Sequence, residues 1–138
     1  KSHNACDGDL LRVKFDINIE RMQTSLNYLL GEHDFTSFKS AGTLNPSKVC
    51  IITEAKAKKE GDRVIIDIKG NRFLYNMVRT IVGTLFLIQK DGLNPLKMAE
   101  ILESKDRSIS GATAPAIGLT LEYVGYGDCL KYQKQINI

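Results

Sequence analysis

"NRFLYNMVRTIVGTLFLI", residues 71–88, is apolar enough to be buried, yet Arg79 stands in its middle. At helical spacing Leu74, Met77, Val78, Ile81, Leu85 and Ile88 make one broad apolar side, which predicts an amphipathic helix over Phe73–Lys90, ended before Gly92. On another side Arg72, Asn76, Arg79 and Gly83 follow one another at steps of 4, 3 and 4, with Tyr75 one turn before Arg79. The competing reading of this stripe is an ordinary solvated face. Against it, no Glu or Lys occurs between Arg72 and Lys90. A solvated helix also rarely carries glycine, at about 1 kcal/mol relative to alanine. Arg79 is therefore expected to be partly buried, and Gly83, which adds no side chain, leaves room for something to approach the helix closely beside Arg79. A guanidinium stays charged in such a place and needs a carboxylate or phosphate. No acid lies three or four residues from Arg79, so its partner comes from another element, another chain or a substrate. Asp67 and Asp34 are candidates that the sequence alone does not place.

Outward from this helix, two strands precede it. "KVCIITEAKAK" and "DRVIIDIKG" are joined through Glu60-Gly61 as a hairpin. The second alternates, with Val64, Ile66 and Ile68 on one face and Arg63, Asp67 and Lys69 on the other. Earlier still, "NIERMQTSLNYLLG" puts Ile19, Met22, Leu26, Leu29 and Leu30 on one helical face, with Asn18 as N-cap and Gly31 as C-cap. "EHDFTSFKSAGTLNPS" reads as a loop carrying Phe35 and Phe38. After the central helix, Asn94 and Pro95 start another, "NPLKMAEILESK". The loop "DRSISGATAPAI" leads into an alternating strand, "GLTLEYVGY". "LLRVKF", residues 10–15, reads as a short strand, and residues 1–9 and 127–138 as loose ends. The order is (β)αββααβ. It predicts an α+β fold, an antiparallel sheet with helices packed on one face, forming a single domain over residues 1–138.

Composition sets limits. The 138 residues are the size of one domain and bury enough surface to fold without disulfides or metal. Cys6, Cys50 and Cys129 form no C-x-x-C pair, and with only His3 and His33 to help they make a poor zinc set. This cysteine usage fits a reducing compartment, and a cytoplasmic location is expected. The longest apolar run is interrupted by Asn76 and Arg79, so it is no membrane span. A formal charge of +3 mildly favours a polyanionic partner. "KAKKE", residues 56–60, reads as a solvated strand end rather than a binding patch. His33-Asp34 invites a catalytic dyad, but sequence neighbours rarely point at each other and no nucleophile is positioned.

Three stretches together resemble one family. "GNRFLYNMVRTIVGTL" is similar to the F-L-(H/Y)-x-M-V-R-x-I-V-G segment of the tRNA pseudouridine synthase A family. "LLGEHDFTSF", residues 29–38, resembles its G-x-H-D-F-x-x-F segment, and "GATAPAIGLTLEYVGY", residues 111–126, its T-A-P-A-x-G-L-x-L ending. The resemblance runs over residues 18–126 and is to the C-terminal half of that enzyme. It implies one half of the pseudouridine synthase fold and an isomerase that converts uridine to pseudouridine in the anticodon arm of tRNA. The family needs no metal or cofactor, works as a homodimer, and uses one aspartate in a G-R-T-D segment of its N-terminal half. No Gly-Arg-Thr-Asp occurs in this chain, which starts at Lys1. The chain is thus expected to be a fragment, inactive alone, that needs the N-terminal half of the same protein.

The resemblance also assigns residues. Arg79 would pair with and orient the absent aspartate. Leu119 would pack on the target uracil, with Phe73 and Tyr75 shaping the same wall. Asn76 and Arg72 would lie at the substrate, and His33 near the RNA cleft. The alternative is a non-catalytic RNA-binding α+β module, which shares the mild basicity and the loop aromatics.

Overall fold

The structure, a computed structural model, describes residues 17–39, 47–60, 63–74, 76–114, 119–126 and 129–137. Five strands form one antiparallel sheet in the order β1-β2-β3-β5-β4. They are β1 (Gly31–Asp34), β2 (Val49–Glu60), β3 (Arg63–Gly70), β4 (Leu119–Tyr126) and β5 (Cys129–Asn137). Three helices join them: α1 (Ile19–Asn27), α2 (Met77–Lys90) and α3 (Lys97–Ser104). Single 3₁₀ turns sit at Thr36–Phe38 and Arg107–Ile109. The fold is α+β, with the helices on one face of the sheet. Met22 and Leu26 of α1, Ile66 and Ile68 of β3, Met77, Ile81, Leu85 and Ile88 of α2, and Met98 and Ile101 of α3 share one core with Phe35 and Phe38.

The hairpin of β2 and β3 forms as the alternation predicts, with Val64, Ile66 and Ile68 turned into the core. One irregularity positions its far end. Ile52 pairs with Gly70 and Glu54 with Lys69, so Thr53 is an extra residue in β2. An extra residue inverts the in–out alternation. Cys50 and Ile52 face the core before it, and Ala55 after it. Gly70 makes the pairing there possible, because a Cβ on it would lie 2.9 Å from the Ile51 carbonyl oxygen. Asn71 then carries the ladder one residue further: its backbone N–H donates to Ile51 O (3.0 Å), and its Oδ1 accepts from Ile51 N (2.8 Å).

α1 starts as expected. The Asn18 side chain accepts from the backbone N–H of Glu20 and Arg21, both at 3.1 Å. It ends earlier than expected, at Asn27, with Tyr28 rather than Gly31 as its cap. Leu29 is buried and Leu30 exposed. Gln23 ties α1 to the sheet in an unusual way. Its amide donates to Ala55 O and accepts from Ala57 N, each at 2.8 Å, so it bonds β2 as a neighbouring strand does.

Four further features depart from the sequence reading. α2 begins at Met77, not Phe73, because Asn76 adopts a left-handed conformation (φ 59°) and breaks the helical path. α3 begins at Lys97, preceded by a turn in which Asn94 Oδ1 accepts from Leu96 N at 2.9 Å. β1 lies inside the stretch read as loop, held by pairing to β2. Residues 127–138, read as loose, contain β5, which has β3 on one side and β4 on the other. Residues 1–9 and the expected strand at 10–15 lie outside the described residues.

Candidate active site

The site is built on one side of α2, where Arg79, Thr80, Gly83 and Thr84 follow at helical spacing. The expectation that something approaches Gly83 closely holds, and the approaching group is the chain's own loop 111–114. A Cβ added to Gly83 would lie 1.6 Å from Ala112 O, and one added to Gly111 would lie 2.4 Å from Gly83 O. Two backbones meet there with no side chain between them. Polar bonds then close the seam along its length. Gly111 N–H donates to Thr84 Oγ1 (2.9 Å), and that hydroxyl donates to Thr80 O (2.8 Å). Thr80 and Thr113 hydroxyls meet at 3.3 Å. Ala114 N–H donates to Arg79 O at 3.0 Å.

Arg79 is half-buried, as its surroundings in the sequence predict. Its Nε donates to Ala114 O at 2.7 Å and its Nη1 to Asn76 Oδ1 at 3.2 Å. The left-handed Asn76, one turn back, is thus both the end of the preceding loop and a clamp on the guanidinium. Nη2 makes no hydrogen bond among the described residues. No carboxylate among them pairs with Arg79 either. Asp34, one of the two candidate partners, accepts from Thr36 N (2.9 Å) and Thr36 Oγ1. Asp67, the other, lies in β3 opposite Lys56 and Gln135.

Two more arginines bind neutral oxygens. Arg107 reaches across the loop, with Nη1 donating to Ser110 Oγ (2.8 Å) and Gly111 O (3.1 Å), and Nη2 to Thr113 Oγ1 (3.1 Å). Arg72 precedes α2 and so leaves the stripe that the helical reading gave it. It donates to Val49 O (2.6 Å) and Ser47 O (3.4 Å) at the sheet's end. Of the three, Arg79 keeps a guanidinium nitrogen without an acceptor among the described residues, so its charge is left for an anion. Burial pushes the Cys50 thiol up, although Arg72 pulls the other way, so it is no thiolate nucleophile near neutral pH.

The remaining sequence-predicted residues are dispersed. Phe73 is partly buried against the core just before α2. Leu119 opens β4 opposite Ile136 of β5. His33, in β1, bonds Leu30 O through Nε2 at 2.7 Å and meets the Phe35 ring edge-on at 5.8 Å. Tyr75 lies outside the described residues. The sequence reading missed Arg107, Thr80, Thr84 and Thr113. Their signal was present but faint: two threonines four apart flank the one helical glycine, and a Gly-Ala pair waits in a later loop to meet it.

Comparison with known proteins gives the chain's relatives. A family described as tRNA pseudouridine synthase matches residues 26–127. The protein named tRNA pseudouridine synthase A in Brevibacillus brevis is 47% identical over 114 residues, 83% of this chain and 47% of that protein. The protein of the same name in Clostridium acetobutylicum is 46% identical over 110 residues, 80% of this chain and 45% of its own length. In Colwellia psychrerythraea the figures are 38% over 120 residues, 87% and 46%. The chain spans a little under half the length of the curated relatives it matches. Among the described residues, no helix is long and apolar enough to cross a membrane.

Proposed function

The chain belongs to the tRNA pseudouridine synthase family, and from that premise we propose that it is the C-terminal part of an enzyme converting uridine to pseudouridine in the anticodon arm of tRNA. In that reaction the N-glycosidic bond breaks, the uracil turns, and C5 bonds to the ribose while its proton is lost and N1 gains one. Nothing is oxidised or reduced, and the reading calls for no cofactor.

The observation that carries the reading is Arg79. A half-buried guanidinium, held by Ala114 O and Asn76 Oδ1, keeps Nη2 for an anion. The anion is the catalytic aspartate of the N-terminal half of the same protein, since no Gly-Arg-Thr-Asp occurs in this chain. A neighbouring guanidinium lowers a carboxyl pKa by about 1–3 units, so the acid is ionised and ready to attack or to take a proton. Leu119, Phe73 and Tyr75 form the wall for the uracil, Asn76 keeps Arg79 in place, and Arg72 and His33 lie along the RNA. The whole enzyme works in the cytoplasm as a homodimer on one tRNA. This chain alone makes no pseudouridine.

The test is Arg79→Ala in the full-length protein that carries this chain. Turnover on unmodified tRNA transcript falls about 10²–10³-fold, the scale of losing one well-placed electrostatic contact. The Kd for tRNA stays within a few fold. Normal turnover in the variant, or pseudouridine made by this chain alone, sinks the reading. Tight tRNA binding by a full-length protein with no turnover at all favours a non-catalytic RNA-binding module instead.

A further inference from the structure

We propose that Arg107 is the positioning residue that aims the Arg79 guanidinium, acting through loop residues 111–114. Arg79 Nε takes its direction from one acceptor, Ala114 O, at 2.7 Å. Where that carbonyl points depends on how the loop is docked. At the Ala114 end the loop is held by Ala114 N–H to Arg79 O, and at the Gly111 end by Gly111 N–H to Thr84 Oγ1. Ala114 is buried at the edge of the core, but between it and Gly111 lie only the exposed Ala112 and the half-buried Thr113, with little apolar area to pin them. Arg107 supplies what packing does not. One planar guanidinium bonds Ser110 Oγ, Gly111 O and Thr113 Oγ1, so a single group sets three points of the loop's path. Thr113 Oγ1 passes the constraint on to Thr80, the residue after Arg79.

The choice of arginine follows from the geometry. The three acceptors lie 2.8–3.1 Å from two different nitrogens of one rigid fork. Lysine is a point charge on a flexible stem and cannot hold that spread. Arg107 is also partly buried and has no carboxylate among the described residues, so its charge serves hydrogen bonding rather than an ion pair. The 3₁₀ turn at Arg107–Ile109 contributes nothing to the core, which leaves the latch as its contribution.

Nuclear magnetic resonance on this chain tests the geometric half without reference to catalysis. In the wild type the Arg79 Nε–H and Ala114 N–H exchange slowly with solvent. Arg107→Ala speeds both by about tenfold or more, while amides of Ile81 and Leu85 in the core of α2 change less than about twofold. Arg107→Lys does not restore protection. Thr113→Val, which keeps the shape and removes one acceptor, speeds both by a few fold. It decides the matter if Arg107→Ala does not fold. An Arg79 Nε–H that exchanges at the wild-type rate in these variants overturns the proposal.

The catalytic half rests on the function proposed above. In the full-length protein Arg107→Ala lowers kcat about tenfold with KM for tRNA within about twofold. The acid limb of the pH–rate profile moves to higher pH, because a misdirected guanidinium no longer keeps the partner acid ionised. A purely structural residue lowers the amount of active enzyme and leaves that limb where it is. Loss of activity in Arg79→Ala with wild-type kcat and limb in Arg107→Ala overturns the positioning role alone. Activity retained in Arg79→Ala overturns the functional reading instead, and the exchange rates still decide the geometry.

Discussion

Asp34 and Asp106 turn the chain by the same local device. Asp34 accepts from the N–H and hydroxyl of Thr36, and Asp106 from the N–H and hydroxyl of Ser108, two residues on in both cases. Each opens a single 3₁₀ turn, and the turns touch where Asp106 N–H donates to Ser37 Oγ at 3.0 Å. Beyond that they diverge. The first turn delivers Phe35 and Phe38, both wholly buried. The second buries none of its own residues and delivers Arg107 to the loop that lies on Gly83. One segment is held by side-chain volume, the other by the absence of a side chain and a set of polar bonds. The same turn thus supports a rigid core anchor in one place and an adjustable docked loop in the other.

Three experiments press on this contrast. Phe38→Ala should have the largest effect, a loss of about 3–5 kcal/mol in global stability by chemical denaturation, from lost burial and the cavity left behind. Gly83→Ala should cost less, about 1–3 kcal/mol. The new methyl forces loop 111–114 off the helix and forfeits its bonds, while the helix itself gains up to about 1 kcal/mol in propensity. Its signature is local: hydrogen exchange at Ala114 N–H rises far more than in the core of α2. A uniform rise everywhere would mean that the loop is held by packing after all, and the contrast would fail.

The smallest effect is that of pH. Burial raises the Asp34 carboxyl, but its bonds to Thr36 and the charges of Lys105 and Lys48 outweigh this and hold it below its usual range. Asp106 is lowered by its hydrogen bonds to Ser108. A depressed folded pKa stabilises above the ordinary value of 3.8, and that contribution is lost as pH falls through the folded one. Both groups are largely in solvent, so the loss is modest. Thermal melts of Asp34→Asn/Asp106→Asn against wild type should keep a constant difference above about pH 5, and the difference should shrink below about pH 4 as the wild type alone loses its carboxylate contribution. A difference that is flat across that range would show the two turns to be insensitive to their capping charge.

Much of this fold can be read before any coordinate is seen, where one period dominates. Asn18 before an apolar stripe announces α1, and the alternation of Val64, Ile66 and Ile68 announces β3. The buried side of α2 is visible in the spacing from Leu74 to Ile88. Two of the misreadings share a cause: a neighbouring strand decided the structure, not the local pattern. β1 is four residues with no alternation and exists through its bonds to β2. β5 is polar in sequence and exists through two flanking ladders. α2 starts later than periodicity predicts because apolar spacing runs straight through Asn76, whose left-handed backbone leaves no mark on it. At the site, the partial burial of Arg79 and the close approach at Gly83 were legible. Which segment makes that approach was not, since loop 111–114 meets α2 only through the tertiary fold.

The Gln23 side chain has a consequence for how the molecule lives in a crowded solution. Among the described residues β1 covers β2 from Val49 to Ile52, and beyond that the outer rim of β2 turns Ala55 O and Ala57 N to where an extended peptide could bind. Gln23 occupies both. A single amide thereby plugs the socket through which another chain could zip on edge to edge, the route by which exposed strands seed aggregates.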